Sequence, residues 1–224
     1  MFALDAGSGA EIWRYEATAE IRCKPLLHEM MLFFRDVRGK IHAVDSREGS
    51  ALWLFRTDPP EGFVIGSSAG VGLASGRVLA GFTDGLARGI KLLDGSISWE
   101  ADLSEFTPED SAHGTQKTDI NTTPLVIDQH TAVFASYKGG IFALDPETGS
   151  ILWRRSDMTQ ASGMARDDDV IYVARSGKGI AAIDLEGSRV WESEFTCGTL
   201  SDPVVYEGRI YVSDSKSGLV VLDA

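Results

Sequence analysis

The side chains able to do chemistry in this sequence are a recurring set of carboxylates, four histidines and two cysteines. Asp5, Asp45, Asp145, Asp184 and Asp223 each close a short apolar run, as in Phe2-Ala-Leu-Asp5, Ile41-His-Ala-Val-Asp45 and Ile141-Phe-Ala-Leu-Asp145. Gathered by the fold, such carboxylates could ligate a cation. An Asp shortly before a Gly more readily bonds the backbone of its own turn, so these residues are expected to shape turns. His28, His42, His113 and His130 show no metal-like pairing with one another or with cysteine. Asp167-Asp-Asp169 lacks the alternating carboxylates and glycine of a calcium loop and reads as a solvated turn. Cys23 and Cys197 lie far apart in the chain, in units that occupy different sectors, and are expected to be free thiols. No catalytic residue, cofactor site or metal site emerges.

The same carboxylates reveal the elements that position everything else. From Asp5 the chain runs to Gly9 and Trp13, from Asp45 to Gly49 and Trp53, and from Asp145 to Gly149 and Trp153. A looser copy carries Gly95 and Trp99, and a copy shortened by one residue carries Gly187 and Trp191. All five tryptophans of the chain occupy this one position, 40, 46, 54 and 38 residues apart. Units of about forty residues, built of short β-branched and aromatic runs between Gly and Asp, match four strands each. Such units close radially into a propeller. Helical repeats of similar length would need apolar residues at a period near 3.6, which no segment offers.

The expected fold is therefore all-β: a propeller of four-stranded antiparallel blades, present as about five to six blades of a larger ring. One propeller occupies 1–224, with blades at 1–17 (partial), 18–57, 58–102, 103–156, 157–195 and 196–224 (partial). Pro25, Pro124 and Pro203 open the first strands of three units, where no ladder donor is needed. The unit from 58 to 102 has Gly66, Gly70 and Gly72 in place of that proline and is expected to be slightly irregular. A net charge of −12 gives no electrostatic footprint for nucleic acid or anionic lipid. No apolar run approaches a membrane span, and no signal peptide is visible. Thr57–Phe63 and Glu100–Asn121 are the long connections, and binding usually sits on such loops.

The motif Ala-Leu-Asp-x-x-x-Gly-x-x-x-Trp resembles the PQQ-like propeller repeat, which implies eight blades in all, with tryptophans docking neighbouring blades. A native product longer than this chain is expected on that ground. Within those propellers, Asp119-Ile-Asn-Thr-Thr-Pro-Leu-Val126, followed by Gly140–Asp145 and Trp153, is similar to the Asp-x-Asp-Thr-Thr-Pro segment of the BamB family of outer-membrane assembly lipoproteins. Asp202-Pro-Val-Val205 and Val212-Ser-Asp-Ser215 continue the likeness, which covers nearly all of the chain.

That resemblance implies a non-enzymatic scaffold on the periplasmic face of the outer membrane, in an assembly complex with a BamA-type insertase. It also implies a lipid anchor upstream. Its partner-binding residues carry over in part: Asp119 matches the first acidic position, while Asn121 stands where the second belongs. Val64 keeps an apolar character, and Ile65 occupies the place of an arginine. Two other classes share the repeat. Quinoprotein dehydrogenases hold a quinone and calcium on the axis beside an adjacent cysteine pair, which Cys23 and Cys197 do not form. Ligand-sensing or adhesion propellers differ only in loops, which the repeat does not constrain.

Overall fold

The computed structural model describes residues 1–57, 69–106, 119–120 and 122–224. These form antiparallel meanders in series, each following the chain order of its strands. The first holds β1 (Phe2–Leu4) and β2 (Glu11–Arg14). The second is complete, with β3 (Leu26–His28), β4 (Met31–Arg35), β5 (Ile41–Asp45) and β6 (Ala51–Phe55). The third contains β7 (Gly72–Ala74), β8 (Arg77–Gly81), β9 (Leu86–Lys91) and β10 (Ile97–Asp102). The fourth contains β11 (Leu125–Val126), β12 (Ala132–Ser136), β13 (Gly140–Leu144) and β14 (Ile151–Arg155). The fifth contains β15 (Ala161–Asp167), β16 (Val170–Arg175), β17 (Gly179–Asp184) and β18 (Arg189–Glu194). The last holds β19 (Val204–Tyr206), β20 (Arg209–Asp214) and β21 (Gly218–Asp223).

First strands lie against first strands, β7 on β11, β11 on β15 and β15 on β19, so they are innermost. The sheets do not close on themselves, and the architecture is an incomplete β-propeller. Its core lies between blades rather than within any one of them. Phe33 and Ile41 of the second blade pack with Val78 and Ile90 of the third. Leu79 and Trp99 of the third meet Phe134 and Phe142 of the fourth. The same layering joins the fourth to the fifth and the fifth to the sixth. A blade alone would leave both apolar faces in water, which is why this architecture is stable only as a stack.

The tryptophans are placed by a repeated irregularity. In every blade with a fourth strand the register slips by one residue just before the tryptophan, at Ile12, Leu52, Ser98, Leu152 and Val190. Such a bulge bends the strand and re-aims the following side chain. It also turns Ile12, Leu52, Leu152 and Val190 outward, which accounts for their exposure. The re-aimed indole crosses a small neighbour on the third strand, Ala3, Ala43, Gly89, Ala143 or Ala182, and reaches the next blade. There Nε1 of Trp13, Trp53, Trp99 and Trp153 donates to the carbonyls of Ser46, Leu92, Pro146 and Leu185, each at 2.9 Å.

The ring lies flat on the glycine of that blade's turn. A Cβ on Gly49, Gly95, Gly149 or Gly187 would fall 2.7, 2.8, 2.5 or 2.8 Å from the indole of the preceding blade. The same glycines have φ between 72° and 84°, so both the space and the conformation demand glycine. Among the described residues nothing lies within 4 Å of a Cβ on Gly9, and Trp191 makes no such bond. The turn aspartates do what their spacing suggests. Asp45 Oδ1 accepts from the amides of Arg47 and Glu48, and Asp145 Oδ1 from those of Glu147 and Thr148.

The described part of the third blade is a four-stranded sheet in chain order with the same bulge as the others, and Gly66 lies outside the described residues. Its glycines permit close approach by the next blade. A Cβ on Gly72 would fall 2.9 Å from Cγ2 of Val126, and the amide of Gly70 donates to Thr123 Oγ1 at 2.8 Å. Both cysteines are free thiols, Cys197 buried and Cys23 half-buried. Among the described residues no helix is long and apolar enough to cross a membrane.

Candidate docking face

In a meander the links between strands alternate ends. The turns between second and third strands therefore share one face with the connections from each fourth strand to the next blade. The hydrogen bonds bear this out: the amide of Tyr137 donates to Asp119 O, that of Gln160 to Tyr137 O, and that of Leu103 to Gly85 O. Both long connections leave and enter on this face. The second is anchored by the short 3-10 turn Ser104–Phe106. Phe106 packs on Phe142, and Arg154 covers both rings while donating to Phe106 O at 2.7 Å.

One position organises the face, nine residues before each turn Asp or, in the third blade, before Lys91. It holds Asp36, Phe82, Ser136, Arg175 and Asp214, all buried. Where the residue is Asp or Ser it closes the turn that follows. Asp36 Oδ1 accepts from the amides of Arg38 and Lys40 at 2.9 and 3.0 Å, and Ser136 Oγ from that of Gly139. Asp214 accepts from the Ser217 hydroxyl and from the amides of Gly198, Lys216 and Ser217. The Ser217 hydroxyl first, and then those amides, hold the Asp214 carboxyl at about 2, below the usual carboxylate range. Arg175 ties the fifth blade together instead, pairing with Glu192 and donating to Asp157 O and Thr159 O.

Two adjacent constellations depart from this pattern. Asp36 Oδ2 lies 3.4 Å from His42 Nε2, and His42 Nδ1 lies 2.9 Å from the Tyr15 hydroxyl. Burial lowers the His42 pKa, with Asp36 opposing, so the neutral ring bridges a tyrosine of the first blade to an aspartate of the second. Next to it Phe82 carries a guanidinium on each side, Arg35 at 4.8 Å and Arg88 at 4.6 Å from the ring centre. Arg88 pairs with Asp84 and Glu100 at 2.8 and 2.6 Å. Arg35 donates to Gly81 O at 2.7 Å, and burial lowers its pKa to about 10. Arg35 Nε and Arg88 Nη1 are buried and have no hydrogen-bond partner among the described residues. Sequence reasoning passed over this cluster, since Arg35 stands far from Phe82 and Arg88 in the chain and only the stacking of the second blade on the third brings them together.

Of the residues expected to bind a partner, Asp119 is on this face, half-buried, with its carbonyl on the Tyr137 amide and Ile120 bridged to Ser136. Val64, Ile65 and Asn121 lie outside the described residues. The described part of the face is mixed in charge rather than acidic, because Arg35, Arg38, Lys40, Arg88 and Lys138 stand among Asp36, Asp84, Glu100 and Asp119. Among the described residues no group of three or more His, Cys, Asp or Glu is arranged to hold a metal ion.

Comparison with known proteins joins this geometry to a family. The family model described as outer membrane protein assembly factor BamB matches residues 1–143 and 137–224. The outer membrane protein assembly factor BamB of Yersinia pestis is 26% identical over 221 residues, covering 98% of this chain and 55% of the relative. The chain thus spans about half the length of the curated relatives it matches. Among solved structures, that of BamB from Moraxella catarrhalis superposes with a TM-score of 0.73 at 20% identity, covering 96% of this chain and 62% of that one. A quinohemoprotein alcohol dehydrogenase from Pseudomonas putida superposes with a TM-score of 0.69 at 17% identity, covering 93% and 41%. At such identities the superpositions speak for the fold alone.

Proposed function

The chain belongs to the outer membrane protein assembly factor BamB family, and from that premise we propose that it is a non-catalytic scaffold in outer-membrane β-barrel assembly. The observation that carries this reading is the family match along the whole chain, together with a face on which both long connections are rooted. A rigid stack of blades presents that face without needing to rearrange, which suits docking better than chemistry. The partner is a periplasmic domain of a BamA-type insertase, and the chain works at the periplasmic face of the outer membrane. Asp119 stands at the polar edge of the surface, with Val64, Ile65 and Asn121 as further contacts. Main-chain pairing with an exposed strand of the partner would add affinity without demanding a particular sequence.

The test is a pull-down of the tagged protein from its own membranes, beside an Asp119→Arg variant whose melting curve shows it folded. The reading expects the insertase with the parent protein and at least about a tenfold loss with the variant, as for reversing a charge at an interface. Equal recovery by both proteins would remove Asp119 from the interface. Recovery by neither would remove the docking role.

A further inference from the structure

The position just inside the first strands varies around the axis. By strand register and spacing to the turns it holds Lys24, Gly70, Thr123, Gly163 and Asp202 in five successive blades. Each glycine makes room for the larger residue of the next blade. Thr123 fills the space over Gly70, and Asp202 fills that over Gly163, where a Cβ would lie 2.5 Å from Asp202 Cα and overlap its carboxylate. The side chain of Asp202 is thereby laid against the backbone of the neighbouring blade. It takes part in no salt bridge and no side-chain hydrogen bond among the described residues, although Asp202 O accepts from the Ser201 hydroxyl.

Asp202 borders a cleft of about 420 Å³ that opens on the docking face. That volume lies within the range of small-ligand sites, roughly 300–1,000 Å³. The lining is unusual in being hydroxylic: Thr122, Thr123, Ser162, Ser176, Thr199 and Ser201 all contribute. Tyr137 closes one side, and among the described residues no basic side chain borders the cleft. Thr122 Oγ1 is buried there with no hydrogen-bond partner among the described residues. Partial desolvation raises the Asp202 pKa, the expected response of a carboxylate without a countercharge. Lys24, at the equivalent inner position of the second blade, is not among the lining residues.

We propose that this axial cleft binds a small hydroxylated molecule carrying a primary ammonium group, of the amino-sugar class, with Asp202 receiving the ammonium and the Ser and Thr hydroxyls receiving the ligand's own. The ligand's ammonium supplies the countercharge that Asp202 lacks, and hydroxyls can donate to or accept from a polyol in either sense. The cleft adjoins the proposed insertase contact and shares Tyr137 with that face, but its assignment rests on Asp202 and the hydroxyls and not on the docking role.

The test is a titration of the isotopically labelled 224-residue chain with glucosamine, N-acetylglucosamine and methylammonium, following the amide resonances of Ser162, Thr199 and Ser201. Glucosamine should give saturable shifts at those amides, with N-acetylglucosamine weaker by at least about tenfold, the worth of one charge-assisted hydrogen bond. Asp202→Asn should weaken glucosamine binding by a similar factor while the protein stays folded by its melting curve. Asp169→Asn, on the exposed turn between β15 and β16 at the opposite end of the blade, should leave binding unchanged. Equal binding of the acetylated sugar, no saturable shift with glucosamine, or an Asp202→Asn variant within twofold of the parent would overturn the assignment. Methylammonium binding as tightly as glucosamine would overturn the part given to the hydroxyls.

Discussion

The rim of the propeller and its docking face are built from the same repeat and differ in what the repeat keeps constant. At the rim a bulge, an indole, a carbonyl and a glycine recur with the same geometry at four successive blade junctions. On the face, the position nine residues before the turn is Asp, Phe, Ser, Arg and Asp in turn, and the innermost position is Lys, Gly, Thr, Gly and Asp. Uniform chemistry at the rim fixes how one blade sits on the next, so it cannot also distinguish one blade from another. Individual character, and with it recognition, is left to the face.

The strongest way to break that contrast is to remove an indole. Trp99 is buried, bonds to Pro146 O and lies on Gly149, so Trp99→Ala should cost about 3–5 kcal/mol in urea denaturation, as large core truncations do. Trp191 packs on Tyr172 but rests on no glycine turn, so Trp191→Ala should cost roughly 1–2 kcal/mol. Equal losses would mean that docking on the next turn adds nothing to burial within the blade.

Approached from the glycine side, the effect is somewhat smaller. Gly149→Ala puts a methyl against the Trp99 ring at a φ of 77° and should cost about 2–4 kcal/mol through overpacking and backbone strain. Gly9→Ala, at a φ of 70° with nothing near its Cβ, should cost only about 1 kcal/mol for the strain. The difference between the two substitutions measures the indole contact in isolation.

The face should show itself in pH dependence, and there the effects are smallest. Asp214 has a folded pKa of about 2, below its ordinary 3.8, so its contribution is present above pH 4 and lost as the pH falls toward 2. Asp214→Asn should flatten the acid limb of the stability curve. Asp202 has the opposite sign: its raised pKa means that the charged form opposes folding at neutral pH, and the penalty is relieved on acidification. Asp202→Asn should therefore leave the melting temperature at pH 7 unchanged or slightly higher. A clear fall would show that the carboxylate has a structural partner.

These contrasts also mark what the sequence could reveal. The Asp-Gly-Trp spacing exposed the blades because identical physical demands at each junction leave identical residues. The bulge before each tryptophan left no such mark, since the extra residue points to solvent and varies among Ile, Leu, Ser and Val. The Arg35–Phe82–Arg88 stack was invisible for a related reason. Its members come from two blades and sit at different offsets from the turn, ten residues before it for Arg35, nine for Phe82 and three for Arg88, so no repeat pattern joins them. The glycines of the third blade looked like weakness in a strand, whereas Gly70 and Gly72 admit Thr123 and Val126 of the next blade. The motif singles out Asp119, which lies on the face, while Val64, Ile65 and Asn121 lie outside the described residues.

The central claim, that the face rather than the rim or the opposite side meets the insertase, is tested most directly by site-specific photo-crosslinking in native membranes. A photoreactive residue in place of Tyr137, exposed on the face, should yield an adduct with a BamA-type insertase. One in place of Arg47, on the turn at the opposite end of the second blade, should yield none. An insertase adduct from Arg47 and none from Tyr137 would contradict the account.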